Sequence, residues 1–332
     1  ESIGIFGLGY APEGWTGLLD AAKAAGYKED HLLSASLIAR SEKDGKVRYF
    51  DRFRGRIIFP VHDHLGRVAG FAGRTIKESD KNTGADQDQD GRHEPKYLNS
   101  SETPVYSKST ILYGLHHARR TIRETKNVYL VEGYFDVIRL HQIGITATVA
   151  TCGTALTDHQ VEMLSNISPC VTIIGDSDHA GQKSVMKSSM SIIHHGMTCK
   201  SLPLPKGEEK SDPDSYFRGK DEAGFREFEA AIDQKDYILQ YARQANTIKK
   251  EPDRLSKMVN EIIEMVQFLP AVMHQFYYDE LGRMVPPKSI WKPKNGKAKA
   301  IDLASTSKQK GTDNLGEPDE ERLKELHNFY FI

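Results

Sequence analysis

From residue 127 onward, short apolar runs alternate with segments of helical spacing, and this alternation restricts the possible folds more than any other feature of the sequence. The apolar runs cover residues 128–131, 147–150, 171–174 and 199–202. Strands that alternate with helices are joined by right-handed crossovers and form a parallel sheet. We therefore expect an α/β unit over residues 127–215, with helices packed against a parallel sheet.

Mixed patterns precede this unit, and only helical patterns follow it. Strand patterns occur at residues 46–50, 56–61 and 68–72, and residues 63–66 have the composition of a turn. Between residues 255 and 266, after Pro252, apolar residues recur at the spacing of one helix face. We therefore expect an α+β subdomain over 1–126, a helical subdomain over 216–290, and a basic linker with the start of a further domain over 291–332.

The composition indicates a protein without membrane spans or a disulfide framework. The 332 residues are 38% hydrophobic and 27% charged, and no apolar run approaches the roughly 18 residues needed to cross a bilayer. The three cysteines show no C-x-x-C spacing, which argues against a zinc site as well. The unpaired cysteines indicate a reducing, cytoplasmic setting. Because the chain does not begin with Met, we interpret it as a piece of a longer protein.

The net charge of −1 conceals two segments of opposite charge. Residues 40–77 contain ten Lys or Arg and four Asp or Glu, which gives 10 − 4 = +6. Residues 78–94, with two bases and six acids, sum to 2 − 6 = −4 and are predicted to form a solvated loop. In the basic segment, Arg52, Arg54 and Arg56 are predicted to share one face of a strand. That face is predicted to bind a polyanion, although a solvated surface would have the same pattern.

Acidic residues follow two of the predicted parallel strands. Glu132 comes directly after the run 128–131, and Asp176 and Asp178 come after the run 171–174. Parallel strands bring their carboxyl ends to one edge of a sheet, and residues two apart on an extended chain point the same way. We therefore expect these carboxylates to crowd one edge, with a simple polar turn as the alternative for the two aspartates.

A third acidic element, Asp212-Pro213-Asp214, lies at the end of the α/β unit. Pro213 fixes its own φ and restricts the residue before it, so the two carboxylates take a set relative angle, although a turn that opens a helix at Ser215 explains the same residues. Carboxylates gathered without bases raise one another's pKa, and a divalent cation removes the repulsion. Because Mg²⁺ prefers a few carboxylates together with phosphate oxygens, the pattern predicts phosphoryl-transfer chemistry.

Several motifs in this sequence resemble the motifs of a known family. Glu132-Gly-Tyr-Phe-Asp136 and Asp176-Ser-Asp-His-Ala-Gly181 resemble the two signatures of the TOPRIM domain, which primases, topoisomerases and some nucleases share. Six further motifs in family order resemble bacterial DnaG-type primases over about residues 3–235; these are 9–15, 52–60, 70–74, 95–100, 152–157 and 212–214. The resemblance implies a TOPRIM parallel sheet flanked by helices, preceded by a mixed α+β subdomain and followed by a helical one.

The resemblance also implies an activity and a set of site residues. Such enzymes are DNA-directed RNA polymerases that make short RNA primers on a single-stranded DNA template from ribonucleoside triphosphates. By position, the implied catalytic residues are Glu132, Asp176 and Asp178, and the metal ligands are Glu132, Asp176, Asp178, Asp212 and Asp214, with Mg²⁺ or Mn²⁺ as the cofactor. The residues expected to bind nucleic acid or nucleotide are Arg52, Arg54, Arg56, Arg74, Lys96, Asn99 and Lys183. For Lys183, one turn into a helix, a plain surface lysine is the alternative.

The resemblance also implies a partner protein, and other classes of TOPRIM protein have to be compared with the primases. A replicative helicase, in trans or fused downstream, is the expected partner, and the zinc module that normally precedes this core is not in the fragment, so no zinc is expected. TOPRIM topoisomerases usually carry a third acid two residues after the aspartate pair, where this chain has Ala180. TOPRIM proteins that only clamp DNA tend to lose the acids, whereas this chain keeps all five. We therefore expect a primase.

Overall fold

The computed structural model describes residues 1–43, 45–76, 95–153, 155–205, 211–248 and 251–284. The predictions for segments 78–94 and 291–332 lie outside the described residues. The chain divides into two compact units, one of Glu1–Ser191 with Lys200–Asp233, and one of Ile192–Cys199 with the residues from Gln234 onward.

The N-terminal part of the first unit mixes helices with antiparallel strands. Its elements are α1 Ser2–Phe6, β1 Gly9–Ala11, α2 Gly17–Ala24, α3 Glu29–Ser34, β2 Ile38–Lys43, β3 Lys46–Asp51, β4 Arg56–His62, β5 Val68–Thr75 and β6 Tyr97–Asn99. Strands β2 and β3 form a hairpin, and the other four form a sheet in the order β1-β4-β5-β6. The three predicted strands are confirmed as β3, β4 and β5. The predicted turn at 63–66 is confirmed as well, because Asp63 Oδ1 accepts from the N–H groups of Leu65 and Arg67.

The prediction that Arg52, Arg54 and Arg56 share one strand face is wrong. Strand β3 ends at Asp51 and β4 begins only at Arg56, so the residues between them form a connection. The carboxylate of Asp51 accepts from the first backbone N–H groups of α2, and Gly55 turns the chain with φ near 59°. Glycine tolerates this left-handed conformation, which breaks the extended backbone that the alternation of arginines suggested.

The α/β unit follows in the predicted order. Helix α4 Leu115–Thr125 precedes the unit, whose own elements are β7 Asn127–Val131, α5 Tyr134–Gln142, β8 Thr148–Ala150, α6 Asp158–Ser165, β9 Cys170–Ile173, α7 His179–His194 and β10 Thr198–Ser201. Strand β7 pairs in parallel with both β8 and β9, and the sheet order is β10-β9-β7-β8. Val128, Val149 and Val171 are fully buried, as expected for parallel strands covered on both faces.

Two short helices after the sheet belong to the first unit. These are α8 Pro213–Tyr216 and α9 Glu222–Ala230. The ring of Phe225 lies edge-on to that of Tyr129 in β7, with centroids 5.3 Å apart, and the Tyr129 hydroxyl donates to Glu229 Oε1 at 2.9 Å. The chain up to Asp233 therefore groups with the sheet, whereas the sequence pattern predicted a helical subdomain from residue 216.

The second unit is helical in its described residues beyond Gln234. It contains α10 Tyr237–Arg243, a 3₁₀ helix at Gln244–Ile248, α11 Pro252–Phe268 and α12 Ala271–Met284. The predicted apolar face of α11 is confirmed, because Ile262 and Val266 are fully buried. Nowhere in the described residues is a helix both long and apolar enough to span a bilayer.

Candidate active site

One cleft of about 660 Å³ lies at the carboxyl edge of the parallel sheet. Glu132 follows β7 directly, Asp176 comes shortly after β9, and Asp212 immediately precedes α8. The acids that line the cleft, called here the acidic lining, are Glu132, Asp136, Asp176, Asp212 and Asp214. The structure thus brings together four of the five acids named from the sequence, as expected for strands that end at a common edge.

Asp136 belongs to the acidic lining but was not among the residues predicted from the sequence. It is 6% exposed on the first turn of α5, and its two carboxylate oxygens accept from the backbone N–H groups of Gly133 at 2.9 Å and Asp214 at 3.0 Å. Burial first, and then the charges of Asp212 and Asp176, raise its pKa to about 7 against the opposing effect of those two hydrogen bonds. Its place four residues after Glu132, within the quoted motif, is the signal that could have identified it.

The position of Asp176 depends on a close approach between two segments of backbone. A Cβ atom on Gly181, in the first turn of α7, would lie 2.4 Å from the carbonyl oxygen of Asp176, so only glycine fits there. Asp178 is not among the lining residues. Its Oδ1 accepts from the Gly181 N–H at 2.7 Å, which makes Asp178 a cap at the start of α7. The assignment of Asp178 as a metal ligand stays a prediction.

Asp212 and Asp214 flank the first residue of α8. Asp212 Oδ1 accepts from the Ser215 N–H at 2.8 Å, and Pro213 occupies the first helical position, so this segment does open a helix, beginning at Pro213. Both carboxylates nevertheless line the cleft. Asp214 is the more constrained of the two, because it forms ion pairs with Arg139 and Arg218.

Basic residues from the N-terminal part line the same cleft. They are called here the basic lining and comprise Arg52, Arg74, Lys96 and Lys108. Arg52 donates to the Asn99 carbonyl oxygen at 2.8 Å, and the Arg74 guanidinium lies over the Phe135 ring, 4.5 Å from its centroid. Lys96 is exposed, and Lys108, which no sequence pattern marked, is partly buried. Cations that share a cleft with carboxylates can hold the phosphates of a nucleotide or of a nucleic acid.

Three of the predicted basic residues lie outside this lining. Arg56 is 3% exposed, and its Nη1 donates to the carbonyl oxygens of Gly73, Pro95 and Lys96, so it stabilises the sheet and cannot reach a phosphate in this structure. The guanidinium of Arg54 stacks on the Trp15 ring at 4.2 Å. Lys183 is exposed on α7, and its contact with a phosphate stays a prediction.

Asn99 lines the cleft and connects two parts of it through hydrogen bonds. Its Oδ1 accepts from the Tyr134 hydroxyl at 2.9 Å, and its Nδ2 lies 3.4 Å from the Cys152 carbonyl oxygen. These bonds join β6 to the α/β unit. Burial raises the pKa of the Cys152 thiol, which also lines the cleft. The amide of Asn99 therefore has a structural function, in addition to the nucleotide contact predicted for it.

The acidic lining suits a hard divalent cation by the chemistry of its donors. Carboxylate oxygens are the ligands that Mg²⁺ and Mn²⁺ prefer, and the charges of Asp212 and Asp176 add to burial in raising the pKa of Asp136. In the described part of the chain, however, no three His, Cys, Asp or Glu side chains are arranged so that they could hold a metal ion as they stand. Binding would therefore require side-chain rearrangement within the cleft.

Comparison with known proteins places this geometry in a family. Residues 1–119 match the model of the DNA primase catalytic core, N-terminal domain, and residues 129–217 match a Toprim-like model. A crystal structure of a DNA primase domain from Pseudomonas aeruginosa aligns at 31% identity and TM-score 0.70, over 87% of this chain and 86% of that chain. This chain belongs to the DnaG-type DNA primase family. The predicted α/β fold with a TOPRIM sheet is confirmed by the same comparison.

Other relatives define how much of such a protein is present. A DNA primase of Deinococcus radiodurans is 38% identical over 246 residues, which are 74% of this chain and 40% of that protein. The chain spans less than half the length of the curated DNA primases that it matches. A structure of the DnaG primase catalytic domain bound to single-stranded DNA aligns at 28% identity and TM-score 0.67, over 87% of this chain and 86% of that chain.

Proposed function

We propose that this chain is the catalytic core of a DNA primase, which makes short RNA primers on single-stranded DNA from ribonucleoside triphosphates. The observation that carries the proposal is the single cleft in which the acidic lining and the basic lining meet. The family relative with single-stranded DNA bound supports DNA as the template. In the reaction, the 3′-hydroxyl of the growing primer attacks the α-phosphate of the incoming nucleotide, and pyrophosphate leaves.

The acids supply the site for the cofactor. We propose that Glu132, Asp176 and Asp212 hold Mg²⁺ or Mn²⁺, which would neutralise charge on the reacting phosphate and favour ionisation of the attacking hydroxyl. Glu132 is also proposed to accept the proton of that hydroxyl. Asp136, through the backbone N–H groups of Gly133 and Asp214, holds the two acidic segments together. Zinc is disfavoured, because the described residues that line the cleft include one Cys and no His, which are the donors that zinc sites use.

The basic lining binds the polyanions. Arg74 and Lys96 are proposed to contact phosphates of the template or the nucleotide, and such contacts fix position without reading sequence. This suits an enzyme that copies varied templates. A replicative helicase as the partner, and the cytoplasm as the compartment, are further parts of the proposal that rest on the family alone.

The direct test is primer synthesis by the chain on a single-stranded DNA template, with Mg²⁺ and ribonucleoside triphosphates. We expect dinucleotides and longer RNA from the parent, and at least about a hundredfold lower yield from Glu132→Ala, as for the loss of a general base. The variant should keep the parent's circular dichroism and melting temperature, because Glu132 follows the strand and lies outside the apolar core. Parent-like RNA yield from a folded Glu132→Ala protein contradicts the proposal, as does a parent that makes no RNA.

A further inference from the structure

Asp214 differs from the other cleft acids because arginines engage both of its oxygens. Arg139 Nε donates to Oδ1 at 2.9 Å, and Arg218 Nη2 donates to Oδ2 at 3.1 Å. The backbone N–H of Asp214 in turn donates to Asp136. A carboxylate that already receives two charge-assisted hydrogen bonds is a poor ligand for a cation unless it releases at least one of them.

The two arginines are not equivalent. The side chain of Arg139 is 24% exposed, and its Nη1 also donates to Gln142 Oε1 at 2.9 Å. Two acceptors, on Asp214 and Gln142, therefore hold its guanidinium in place. The side chain of Arg218 is 68% exposed, and in the described residues its guanidinium contacts Asp214 through one nitrogen. Arg218 lines the cleft, whereas Arg139 is not among the lining residues. Arg139 therefore compensates the negative charge of Asp214. Arg218, also paired with Asp214, carries its positive charge at the lining of the cleft.

We propose that Arg218 binds the phosphate chain of the incoming ribonucleoside triphosphate, and that Asp214, held by Arg139, positions Arg218 for this contact. The inference rests on the proposed function. It makes Asp214 a positioning residue and assigns to Arg218 a contact with substrate.

The chemistry of the guanidinium supports a phosphate ligand. Its planar set of N–H donors matches two phosphate oxygens at once, and one donor to Asp214 leaves others for a ligand. The Arg218 side of this ion pair is mostly exposed, so water screens the pair and an incoming phosphate can compete for Arg218 without disrupting the fold. Because the α-phosphate must reach the acidic lining for reaction, the rest of the triphosphate lies within reach of a cation attached to that lining.

The test compares Arg218→Gln with Arg120→Gln. Arg120 is a matched control, because it also forms an exposed ion pair four residues apart, with Glu124, and it lies on α4 outside the cleft. We expect Arg218→Gln to weaken binding of a fluorescent ribonucleoside triphosphate about tenfold, as for one lost charge-assisted hydrogen bond, and to leave monophosphate binding unchanged. In primer synthesis the KM for nucleotide should rise while kcat changes little. Arg218→Lys should recover part of the affinity, and Arg120→Gln should match the parent in both measurements.

The function of Asp214 is tested by Asp214→Asn and the double variant. If Asp214 positions Arg218, then Asp214→Asn raises the nucleotide KM, and Asp214→Asn/Arg218→Gln is no worse than Arg218→Gln alone. Mn²⁺ affinity should be the same in Asp214→Asn and the parent. Parent-like triphosphate affinity in Arg218→Gln overturns the inference, and so does loss of Mn²⁺ binding in Asp214→Asn. If the parent makes primers and Arg218→Gln has the parent's KM, only this inference fails; if the parent neither binds nucleotide nor makes RNA, the proposed function fails with it.

Discussion

The acidic edge of the sheet and the arginine segment 52–56 both contain charged residues two positions apart in the sequence, yet the fold treats them differently. Four of the five predicted acids line one cleft, whereas only Arg52 of the three arginines does. Glu132 and Asp176 follow strand ends, where the parallel topology brings them to one edge, and Asp212 and Asp214 lie at the start of α8. Each arginine instead takes its place from the acceptor or ring that it contacts, such as the Asn99 carbonyl for Arg52 and the Trp15 ring for Arg54. Strand topology is therefore the better guide to a functional residue than charge periodicity.

The largest expected effect is a pH dependence of stability that comes from Asp136 in the acidic lining. The pKa of Asp136 is about 7 in the folded chain, against 3.8 for an unperturbed aspartate, so folding takes up a proton between these pH values. The free energy of unfolding should therefore fall as the pH rises from about 4 to about 7, by up to about 4 kcal/mol, and the loss is complete above that range. Urea unfolding of the parent and of Asp136→Asn at pH 5 and pH 8 measures the difference.

In Asp136→Asn, the free energy of unfolding should not show this fall with rising pH, whatever the stability of the variant at pH 5. Asp233→Asn is the matched control, because Asp233 is exposed and is not among the residues that line the cleft. Parallel pH profiles for the parent and Asp136→Asn would mean that the carboxylate is ionised in the folded chain and that the cleft tolerates its charge.

The next effect concerns the arginine segment. Arg56→Ala removes a buried guanidinium that serves three carbonyl oxygens, and we expect a loss of about 3 kcal/mol in the free energy of unfolding. Arg54→Ala loses a stacking contact and should cost about 1 kcal/mol. Chemical denaturation of both variants separates these values. Equal losses would show that burial does not distinguish the two arginines.

The smallest effect concerns the basic lining. Each phosphate contact on single-stranded DNA contributes a slope of about −0.7 to the dependence of log affinity on log salt. Arg74→Gln and Lys96→Gln should each flatten the slope by about that amount, whereas Arg120→Gln should leave it unchanged. Fluorescence anisotropy with labelled single-stranded DNA at several salt concentrations is the measurement. If neither cleft variant differs from Arg120→Gln, the DNA binds at another surface.

Much of the fold and part of the candidate site could be predicted from the sequence. Apolar runs such as 128–131 and 171–174 must be buried, so the parallel strands and their common carboxyl edge follow from the sequence, and with them the places of Glu132 and Asp176. The use of Asp178 as a helix cap could not be predicted, because i, i+2 geometry holds only while the backbone stays extended and α7 begins at the next residue. Lys108 was missed because a side chain brought in from a distant loop leaves no local pattern.

The central claim is that the acids at the sheet edge bind the divalent cation used for catalysis and are dispensable for folding. A titration with Mn²⁺, followed by the electron paramagnetic resonance signal of the free ion, tests it on the parent, Asp176→Asn, Asp212→Asn and the control Asp233→Asn. We predict that the two cleft variants remain folded and bind Mn²⁺ about tenfold more weakly or worse, because a neutral amide replaces a charged ligand, while Asp233→Asn matches the parent. Unchanged Mn²⁺ affinity in both folded cleft variants would contradict the account.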